Sequence, residues 1–504
     1  MSEKIQVTAQ LKKSQRVIRF EYQTGLPFFA CLSESLAREG VAFSLCGGKG
    51  ICGKCRIRFV SGAPLPTNAE RQFLSAEELR QGIRLACLTK PVKDCEIEVL
   101  FDQETSVLTA FGLDESVEVA EEDAAVEAYA LIGGEDTSAT DYVITADVGT
   151  TTIAMALVEV ATGKVKKTYS CMNPQSVYGS DVIARITAAG ELGADKLQKI
   201  VVDALIEGAA QLKSELQENL NAPEALNLPE TINGQMAAKP IYVAANTVMS
   251  HFLAGSEAAC LGRAPFEPEF LESREVDADG YKFVLVPGIS AFVGGDIVAG
   301  LLSCGMLSIQ KGTRGTLFID LGTNGEMALC DGEKIYCTAA AAGPAFEGKD
   351  SEKRGSHSVH MLAELLRSGR MDETGLLNEE TEELTQKEIR DLQMAKAAVR
   401  TGIEVLLQKA GMSVTDVKKV YLAGGFGYYI RVEDAVAIGL LPADFETITV
   451  SVGNSSLRGA AVYAELAQLG ECENFEHGIR QNCISVNLAE EEYFLENYIG
   501  QMNF

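Results

Sequence analysis

Four cysteines near the N-terminus have the spacing of ligands for one iron–sulfur cluster. Cys46, Cys52 and Cys55 fall in a single loop, CGGKGICGKC, and Cys87 follows in a distant segment. Thiolates bind iron when the chain brings them close to a compact inorganic core. The glycines of the loop allow it to wrap tightly and to point backbone N–H groups at sulfur. The spacing predicts a [2Fe–2S] cluster, and therefore a chain that carries electrons.

Zinc is the alternative occupant, because four cysteines also bind Zn²⁺. Structural zinc sites usually use two short CxxC pairs, and this region has one, Cys52–Cys55. The spacing therefore favours iron and sulfide. The other nine of the thirteen cysteines are scattered along the chain, and we expect them to be reduced, mostly buried thiols.

Two similar turns each place an aspartate at the end of a predicted strand and follow it with glycine and threonine. The first motif is Asp147 with Gly149, Thr150, Thr151 and Thr152, and the second is Asp320 with Gly322, Thr323, Asn324 and Gly325. Backbone N–H groups in such turns bind anions, and an adjacent carboxylate holds Mg²⁺ directly or through water. No GxxxxGK[ST] loop occurs, so neither turn is a Walker motif.

A third glycine-rich element and three polar residues complete the candidate set. The third element is a predicted strand that runs into Gly424, Gly425, Phe426 and Gly427. The polar residues are Asp296 at a predicted helix start, Asn246 after a predicted strand, and Glu326, which we expect to polarise water. Helix capping is the alternative role for Asp296 and Asn246. The four histidines form no ligand pattern, and Gly355-Ser356 predicts a loop beside His357.

Hydrophobic periodicity predicts a small α+β domain, then a larger α/β domain. Residues 1–101 form the first, with strands at 3–9, 15–22, 55–60 and 95–100, a helix at 27–38 and a helical stretch at 70–81. Residues 102–141 are an acidic linker. Residues 142–470 form two lobes, approximately 142–315 and 316–470, because the strand–turn–strand motif occurs twice. Residues 471–504 are predicted to be a C-terminal extension that packs on the larger domain.

The larger domain has its own set of predicted elements. Its strands are predicted at 142–147, 152–159, 241–244, 283–286, 316–320, 326–330 and 419–423, and its helices at 180–190, 194–218, 295–305, 390–410 and 456–468.

Composition excludes several kinds of partner. The 504 residues carry a net charge of −27, which argues against nucleic acid. No apolar stretch approaches the roughly 18–20 residues of a membrane span, and the N-terminus lacks a signal peptide's apolar region, so we expect a cytoplasmic protein without membrane contact. Residues 1–93 hold 15 Lys and Arg against 7 Asp and Glu, so they carry +8 and the remainder carries −35. A basic domain of this kind can dock an acidic surface, its own body or an electron donor.

The three glycine-containing motifs, in their order, resemble the phosphate-1, phosphate-2 and adenosine motifs of the acetate kinase, sugar kinase, Hsp70 and actin (ASKHA) superfamily. The resemblance implies ATP and Mg²⁺ as ligands. It implies that Asp147 and Asp320 position Mg²⁺ and the attacking water, with a catalytic or metal-organising role for Asp296. The two turns would hold the phosphates from opposite lobes, and adenosine would pack on the backbone of Gly424, Gly425 and Gly427. The cysteine loop resembles plant-type and adrenodoxin-type [2Fe–2S] ferredoxins, which implies a β-grasp domain.

The combination of the two domains resembles the reductive activators of corrinoid proteins. The marks are CGGKGICGKC, ADVGTTT, the segment from Asn173 to Asp181, Pro287-Gly-Ile-Ser290, DLGTNGE, Ala341-Ala-Gly-Pro344 and LAGGFG. The resemblance implies ATP-dependent one-electron reduction of Co(II) to Co(I) in a corrinoid protein. It implies a low-potential donor such as ferredoxin or flavodoxin, allows a homodimer, and suggests that a middle domain of some members is reduced here to the acidic linker.

Three other functions are compatible with the same residues. They are an activator of a radical-forming dehydratase, a small-molecule kinase with a redox-sensing ferredoxin domain, and a nucleotide-gated binding protein with little turnover. A kinase would transfer phosphate to a metabolite, whereas a binding protein would hold ATP tightly and not respond to cluster reduction.

Overall fold

The computed structural model describes most of the chain outside the cysteine loop and the acidic linker. The described residues are 4–11, 16–24, 27–37, 41–42, 55–100, 103–104, 142–160, 163–179, 181–219, 239–307, 313–322, 324–343, 355–378 and 384–504. Cys46, Cys52, Thr323 and most of the predicted linker lie outside these residues.

The N-terminal sheet has five strands in the order β2-β1-β6-β4-β5. These strands are β1 (Lys4–Leu11), β2 (Val17–Gln23), β4 (Arg56–Ser61), β5 (Ile83–Leu85) and β6 (Cys95–Val99). Alternate residues of β1 are buried, and the helix α1 (Phe28–Ala37) buries Phe28, Leu32 and Leu36 in the same core. Two short strands, β3 (Val41–Ala42) and β7 (Gln103–Glu104), pair separately. The predicted α+β ferredoxin-type fold is confirmed.

The helical stretch predicted at 70–81 is two elements. A 3₁₀ turn covers Glu70–Gln72, and the helix α2 covers Ala76–Arg80. The break occurs at Ser75, whose side chain accepts a hydrogen bond from the backbone N–H of Glu78 while Glu78 bonds back to Ser75. This capping box begins a new helix, so the charged pattern does not continue as one.

Two further sheets of six strands carry the rest of the chain. The second sheet has the order β10-β9-β8-β11-β13-β12, and the third has the order β18-β17-β14-β15-β16-β19. The second contains β8 (Tyr142–Val148), β9 (Thr152–Glu159), β10 (Val165–Met172), β11 (Ile241–Ala245), β12 (Arg274–Ala278) and β13 (Tyr281–Leu285). The third contains β14 (Thr316–Leu321), β15 (Gly325–Cys330), β16 (Ile335–Ala340), β17 (Lys419–Ala423), β18 (Thr449–Gly453) and β19 (Cys483–Ser485).

The internal duplication predicted from the two turns is visible in strand order. In each sheet three consecutive strands form an antiparallel meander, and the next two partners run parallel to the first of them. The path β10-β9-β8-β11-β13 therefore matches β16-β15-β14-β17-β18. The two-lobed α/β architecture is confirmed, and it places the ends of β8 and β14 at corresponding positions.

Helices cover the sheets. They are α3 (Val182–Leu192), α4 (Ala194–Asn219), α5 (Thr247–Ala254), α6 (Gly295–Ser303), α7 (Gly355–Arg367), α8 (Gln386–Lys409), α9 (Gly424–Gly427), α10 (Val432–Ala437), α11 (Ser455–Leu469), α12 (Cys472–Asn482) and α13 (Glu492–Asn497). The loop predicted beside His357 is helical in the structure. Gly355 only begins α7, and Val359, Leu362 and Ala363 follow at helical spacing and are fully buried.

Two helices exchange partners between the halves of the larger domain. The helix α6, from the first half, packs Ile297 and Leu301 against Phe318 of the third sheet. The helix α11, from the second half, packs Ala460 and Tyr463 in a core cluster with residues of the second sheet. The two helices also pack on each other, so the lobes share a buried interface. Among the described residues, no helix is long and apolar enough to cross a membrane.

We expect Gly459→Ala to destabilise the larger domain. A Cβ at Gly459 on α11 would lie 1.8 Å from the carbonyl oxygen of Ala299 on α6, so the two helices would have to separate. Overpacking of this kind costs roughly 1–3 kcal/mol, and thermal unfolding would show a lower midpoint. The matched control is Gly478→Ala, because a Cβ at this helical glycine meets no heavy atom within 4 Å. An unchanged midpoint for Gly459→Ala would contradict the interface.

Candidate functional site

Four carboxyl groups from both lobes act on one another at the strand ends. Asp147 is near the end of β8, Asp320 is near the end of β14, Glu326 pairs with Asp320 across the β14–β15 hairpin, and Asp296 is in the first turn of α6. Each residue retains partial exposure, and we call the place between the two strand ends where these four residues lie the cleft. The structure therefore brings together all four residues predicted to be catalytic, although their roles stay predictions.

Burial raises the pKa of all four groups, and the charges of neighbouring aspartates raise it further for three of them. Loss of solvent raises the pKa of Asp147 to about 6, against a hydrogen bond from Asn454 that lowers it. Burial, then the charge of Asp147, raise the pKa of Asp296 to about 7. Burial, then the charges of Asp296 and Asp147, raise the pKa of Asp320 to about 8. The pKa of Glu326 is also well above its usual value, through burial and the charges of Asp296 and Asp320.

The four carboxyl groups fit a hydrated Mg²⁺ that arrives with a nucleotide. Among the described residues, no three Asp, Glu, His or Cys side chains are placed to ligate one metal together. No Lys or Arg contributes to the pKa shifts of the four carboxyl groups. A cation that arrives with the nucleotide would relieve their repulsion, and Mg²⁺ usually keeps several waters when it binds phosphates. The carboxylates fit that ion as acceptors from its water shell.

The phosphate-1 turn is held by hydrogen bonds to its own backbone and to a neighbouring helix. Gly149 donates its N–H to the carbonyl of Thr152 at 2.9 Å. The hydroxyl of Thr150 accepts from Asn246 Nδ2 at 3.2 Å, while Asn246 Oδ1 accepts from the N–H of Met249 at 3.0 Å. Asn246 is therefore a helix N-cap, as the alternative interpretation held, and it also reaches the turn.

The phosphate-2 turn and the third glycine element meet at Asp320. Gly322 donates its N–H to the carbonyl of Asn324 at 2.9 Å, and Asn324 hydrogen-bonds to the carboxyl group of Glu326. Gly424 has φ +87°, and a Cβ there would lie 2.4 Å from Asp320 Oδ1. Only glycine allows that backbone conformation at this distance.

The other members of the two glycine motifs have different surroundings. Gly425 is exposed, and the side chain of Phe426 is buried in the core of the second lobe. Gly427 packs on Leu422, and a Cβ at Gly325 would lie 2.7 Å from Val399 Cγ2. Phe426, Gly427 and Gly325 therefore support the turns by packing, whereas Gly424 and Gly425 leave backbone near the cleft. Thr152 begins β9, and the carbonyl of Thr151 accepts the N–H of Asn173 at 2.8 Å.

Asn454, which joins the two lobes at the site, was not among the residues predicted from the sequence. Asn454 Nδ2 donates to Asp147 Oδ2 at 2.8 Å, and Asn454 Oδ1 caps α11 by accepting the N–H of Leu457 at 2.8 Å. An asparagine before Ser455, at the start of a predicted helix, does signal a cap. The sequence gives no sign that the other end of its amide reaches a carboxylate 307 residues away.

Cys55 and Cys87, the two described cysteines of the candidate cluster site, lie side by side. Their Sγ atoms are 3.2 Å apart, although 32 residues separate them. The hydrogen bond with Cys87 lowers the pKa of Cys55 to about 7. The backbone N–H groups of Cys55, Ala86 and Cys87 also lower the pKa, whereas burial raises it. A thiol that ionises this readily, beside a second sulfur, fits a metal-binding thiolate.

Three family models match regions of the chain. A model described as a 2Fe-2S iron-sulfur cluster binding domain matches residues 30–92. The model of the RACo middle region matches 142–308, and the model of the C-terminal ASKHA domain of RACo matches 314–359 and 357–504. The chain belongs to the RACo family. The [2Fe–2S] domain and the ASKHA-type ATPase domain predicted from the sequence are thus confirmed.

Similar proteins agree with this assignment. A corrinoid activation enzyme, RamQ, of Eubacterium limosum is 27% identical over an alignment of 439 residues, which covers 72% of this chain and 70% of the relative. A reductase of a methylated amine-specific Co(II) corrinoid protein in Methanosarcina barkeri is 25% identical over 236 residues, 35% of this chain and 43% of the relative. A solved reductive activator for a corrinoid, iron-sulfur protein has a TM-score of 0.61 at 24% identity, with 99% and 98% of the chains covered, which shows the shared fold.

The middle-region match corrects one expectation. That region lies at 142–308, which corresponds to the predicted first lobe. It is therefore not reduced to the acidic segment 102–141. The error arose because the motif Asp147–Thr152 was assigned to the ATPase domain as a whole, although the same residues open the RACo middle region. In this RACo-family chain the two matched regions each supply one of the duplicated sheets.

We expect Asp320→Asn to stabilise the nucleotide-free, Mg²⁺-free protein at pH 8. The pKa of Asp320 rises from 3.8 to about 8 in the folded state, so the folded protein keeps a proton that the unfolded chain releases. Stability from this group is therefore lost as pH rises between those values. Asparagine has no proton to release, so its unfolding midpoint should exceed that of wild type by roughly 2–4 °C at pH 8, with little difference at pH 4.

Asp277→Asn, at an exposed aspartate of β12, is the matched control and should show no such trend. A gain for Asp320→Asn that is equal at both pH values would contradict the raised pKa of Asp320. The same variant is expected to lose ATPase activity, because asparagine cannot carry the negative charge that attracts a hydrated cation.

Proposed function

We propose that this RACo-family protein uses ATP to drive the one-electron reduction of a corrinoid protein from Co(II) to Co(I). One observation carries the proposal: carboxylates from two duplicated lobes act on one another around a cleft, on a chain that also holds two paired cysteines in a ferredoxin-type fold. An ATPase alone would not need the cysteines, and a ferredoxin alone would not need the lobes. The names of the relatives RamQ and corrinoid protein reductase support the same function.

The residues of the cleft have separate tasks in ATP hydrolysis. The turns Gly149–Thr152 and Gly322–Gly325 would hold the phosphates from opposite lobes through their backbone N–H groups. Asp147, Asp296 and Asp320 would accept hydrogen bonds from the water shell of Mg²⁺. The carboxylate form of Glu326, which a nearby cation would favour, is suited to accept a proton from the attacking water.

Hydrolysis at this place can move the lobes. Asn454 bonds to Asp147 across the interface between α11 and β8, and Gly424 touches Asp320. Loss of the terminal phosphate would remove the group that both turns contact, so the preferred arrangement of the two lobes would change. Cobalt reduction from Co(II) is energetically uphill for ordinary donors, and such a change would bind the corrinoid protein in a form that is easier to reduce.

The cysteines would hold the redox group. Cys46, Cys52, Cys55 and Cys87 would bind one [2Fe–2S] cluster, which supplies single electrons when bound. Backbone N–H groups at Cys55, Ala86 and Cys87 stabilise the thiolate of Cys55. We further propose a cytoplasmic location, a low-potential donor such as ferredoxin or flavodoxin, and a homodimer as one assembly.

The decisive experiment mixes purified holoprotein, a chemical reductant, ATP and Mg²⁺ with a Co(II) corrinoid protein, and follows the Co(I) absorbance. Wild type should produce the Co(I) band only with ATP. Asp320→Ala should retain the cluster spectrum and form no Co(I). Cys52→Ser should retain ATP binding and lose both the cluster spectrum and the Co(I) band.

Matched variants and a second readout separate the alternatives. Asp277→Ala, at the exposed residue of β12, should behave as wild type. If the wild-type protein makes no Co(I) but phosphorylates a metabolite, the small-molecule kinase is the correct function and this proposal is wrong. Full Co(I) formation by Asp320→Ala would refute the assignment of the cleft.

Charge gives an independent prediction about the electron donor. Residues 1–93 carry +8, so an acidic donor should be attracted over long range. The association rate of reduced flavodoxin with the protein should fall as ionic strength rises, because salt screens exposed charges beyond about 10 Å at 0.1 M. Stopped-flow mixing at several salt concentrations measures this, and a flat response would contradict electrostatic docking.

A further inference from the structure

Arg185, a buried arginine, lies behind the phosphate-1 turn and forms no ion pair with a carboxylate among the residues that the structure describes. It is on α3 and 0% exposed. Its Nη2 donates to the carbonyl of Thr150, its Nε donates to the carbonyl of Gly179 at 2.9 Å, and its Nη1 donates to Gln175 Oε1 at 3.4 Å. Burial lowers its pKa to about 10, so the group stays charged at neutral pH.

A buried charge whose hydrogen bonds go to neutral acceptors is costly, although the charge of Asp181 offsets part of that cost, and this makes its place informative. The guanidinium contacts the turn that is proposed to hold ATP phosphates. Its positive charge is therefore bonded directly to a carbonyl of that turn, although no Lys or Arg is among the causes of the pKa shifts of the four carboxyl groups. Arginine also suits this place by shape, because its planar fork reaches two backbone carbonyls and an amide at once.

Asn173 bonds to two further carbonyls of the phosphate-1 turn. Asn173 Nδ2 donates to the carbonyl of Gly149 at 2.8 Å, and the N–H of Asn173 donates to the carbonyl of Thr151 at 2.8 Å. Three successive carbonyls of the turn, at positions 149, 150 and 151, are thus bound by Asn173 and Arg185. Any change in the turn on nucleotide binding must move these bonds or be resisted by them.

Gln175 connects this network to a short helix. Asn173 Oδ1 accepts the N–H of Gln175 at 3.0 Å and so caps the 3₁₀ helix Pro174–Tyr178. Gln175 is 0% exposed, accepts from Arg185, and donates to the carbonyl of Leu197 on α4 at 2.9 Å. The position of this short helix therefore depends on the same bonds as the phosphate-1 turn.

The short helix contacts the ferredoxin-type domain. It packs against α1 (Phe28–Ala37), and α1 shares its core with β4 and β5, which Cys55 precedes and Cys87 follows. Leu32 and Leu36 of α1 are buried with Cys55, and Cys87 packs on the same cluster. A continuous set of contacts thus runs from Thr150 through Arg185, Gln175 and α1 to Cys55.

We propose that Asn173, Gln175 and Arg185 form a positioning network that couples the phosphate-1 turn to α1 of the cluster domain. Nucleotide binding at the turn is transmitted through the helix Pro174–Tyr178. The inference rests on the proposed ATP site but not on the corrinoid substrate. Because a chain of contacts is not by itself evidence of coupling, the test must measure a response at α1.

Hydrogen exchange of the holoprotein measures that response. The peptide covering α1 is compared with and without a non-hydrolysable ATP analogue and Mg²⁺. We expect its exchange rate to change at least threefold in wild type on addition of the analogue. Gln175→Leu should bind the analogue within twofold of wild type and lose the change at α1.

The matched control is Gln393→Leu. Gln393, on α8, is likewise 0% exposed, accepts from an arginine, Arg390, and donates to two backbone carbonyls, but it lies in the second lobe. It should keep both nucleotide binding and the response at α1. Retention of the response by Gln175→Leu, or no response in wild type that binds the analogue, would overturn the network. Failure of wild type to bind the analogue would instead refute the ATP site.

Arg185→Lys tests the shape of the buried cation. Lysine keeps the charge but not the planar fork, so we expect analogue affinity to fall at least tenfold and the response at α1 to be lost, with the cluster absorbance unchanged. The control is Arg84→Lys, because Arg84 is also a buried arginine that donates to backbone carbonyls, those of Pro64, Leu79 and Ile83, within the cluster domain. Wild-type affinity and response in Arg185→Lys would show that Arg185 only fills space.

Discussion

Crowding of four buried carboxyl groups at the place where the two lobes meet is the constraint on which the rest of the larger domain depends. Burial raises the pKa of Asp147, Asp296, Asp320 and Glu326, and the charges of neighbouring aspartates raise it further for the last three. Such a cluster is unfavourable in the empty protein and becomes favourable when a hydrated cation arrives with phosphates. The lobes thus meet at a site that its ligand stabilises, so nucleotide binding can change the arrangement of the lobes.

The duplicated sheets explain how the carboxylates come to face each other. Equivalent strands β8 and β14 end in equivalent turns, so each lobe contributes an aspartate and a set of backbone N–H groups. The interface helices α6 and α11 are exchanged between the halves, and Gly459 allows them to touch without an intervening side chain. A change at the cleft therefore acts on a packed interface, which responds by moving as a unit. The network around Arg185 would transmit such a change from the cleft to the domain that contains the cysteines.

Much of this arrangement could be predicted from residue types and spacing. The ferredoxin-type domain, the two lobes and the strands ending at Asp147 and Asp320 follow from local periodicity and from motifs that require glycine. What could not be predicted involves contacts between distant segments. In the sequence, Asn454 indicates only a helix cap and Arg185 only a helical arginine. The fold shows that the side chain of Asn454 reaches Asp147 and that of Arg185 reaches Thr150. Strands with mixed burial, such as β10 (Val165–Met172), were missed because they lack clear alternation, and α7 was missed because Gly355 was read as a break.

The central claim is that ATP turnover in the cleft drives electron delivery from the cysteine-bound group. The most direct measurement is a single-turnover reaction in which pre-reduced protein meets ATP and a Co(II) corrinoid protein, with phosphate release and Co(I) absorbance recorded together. Co(I) should form only when ATP is present, and in a fixed ratio to the phosphate released. Formation of Co(I) at the same rate and extent without ATP would contradict it.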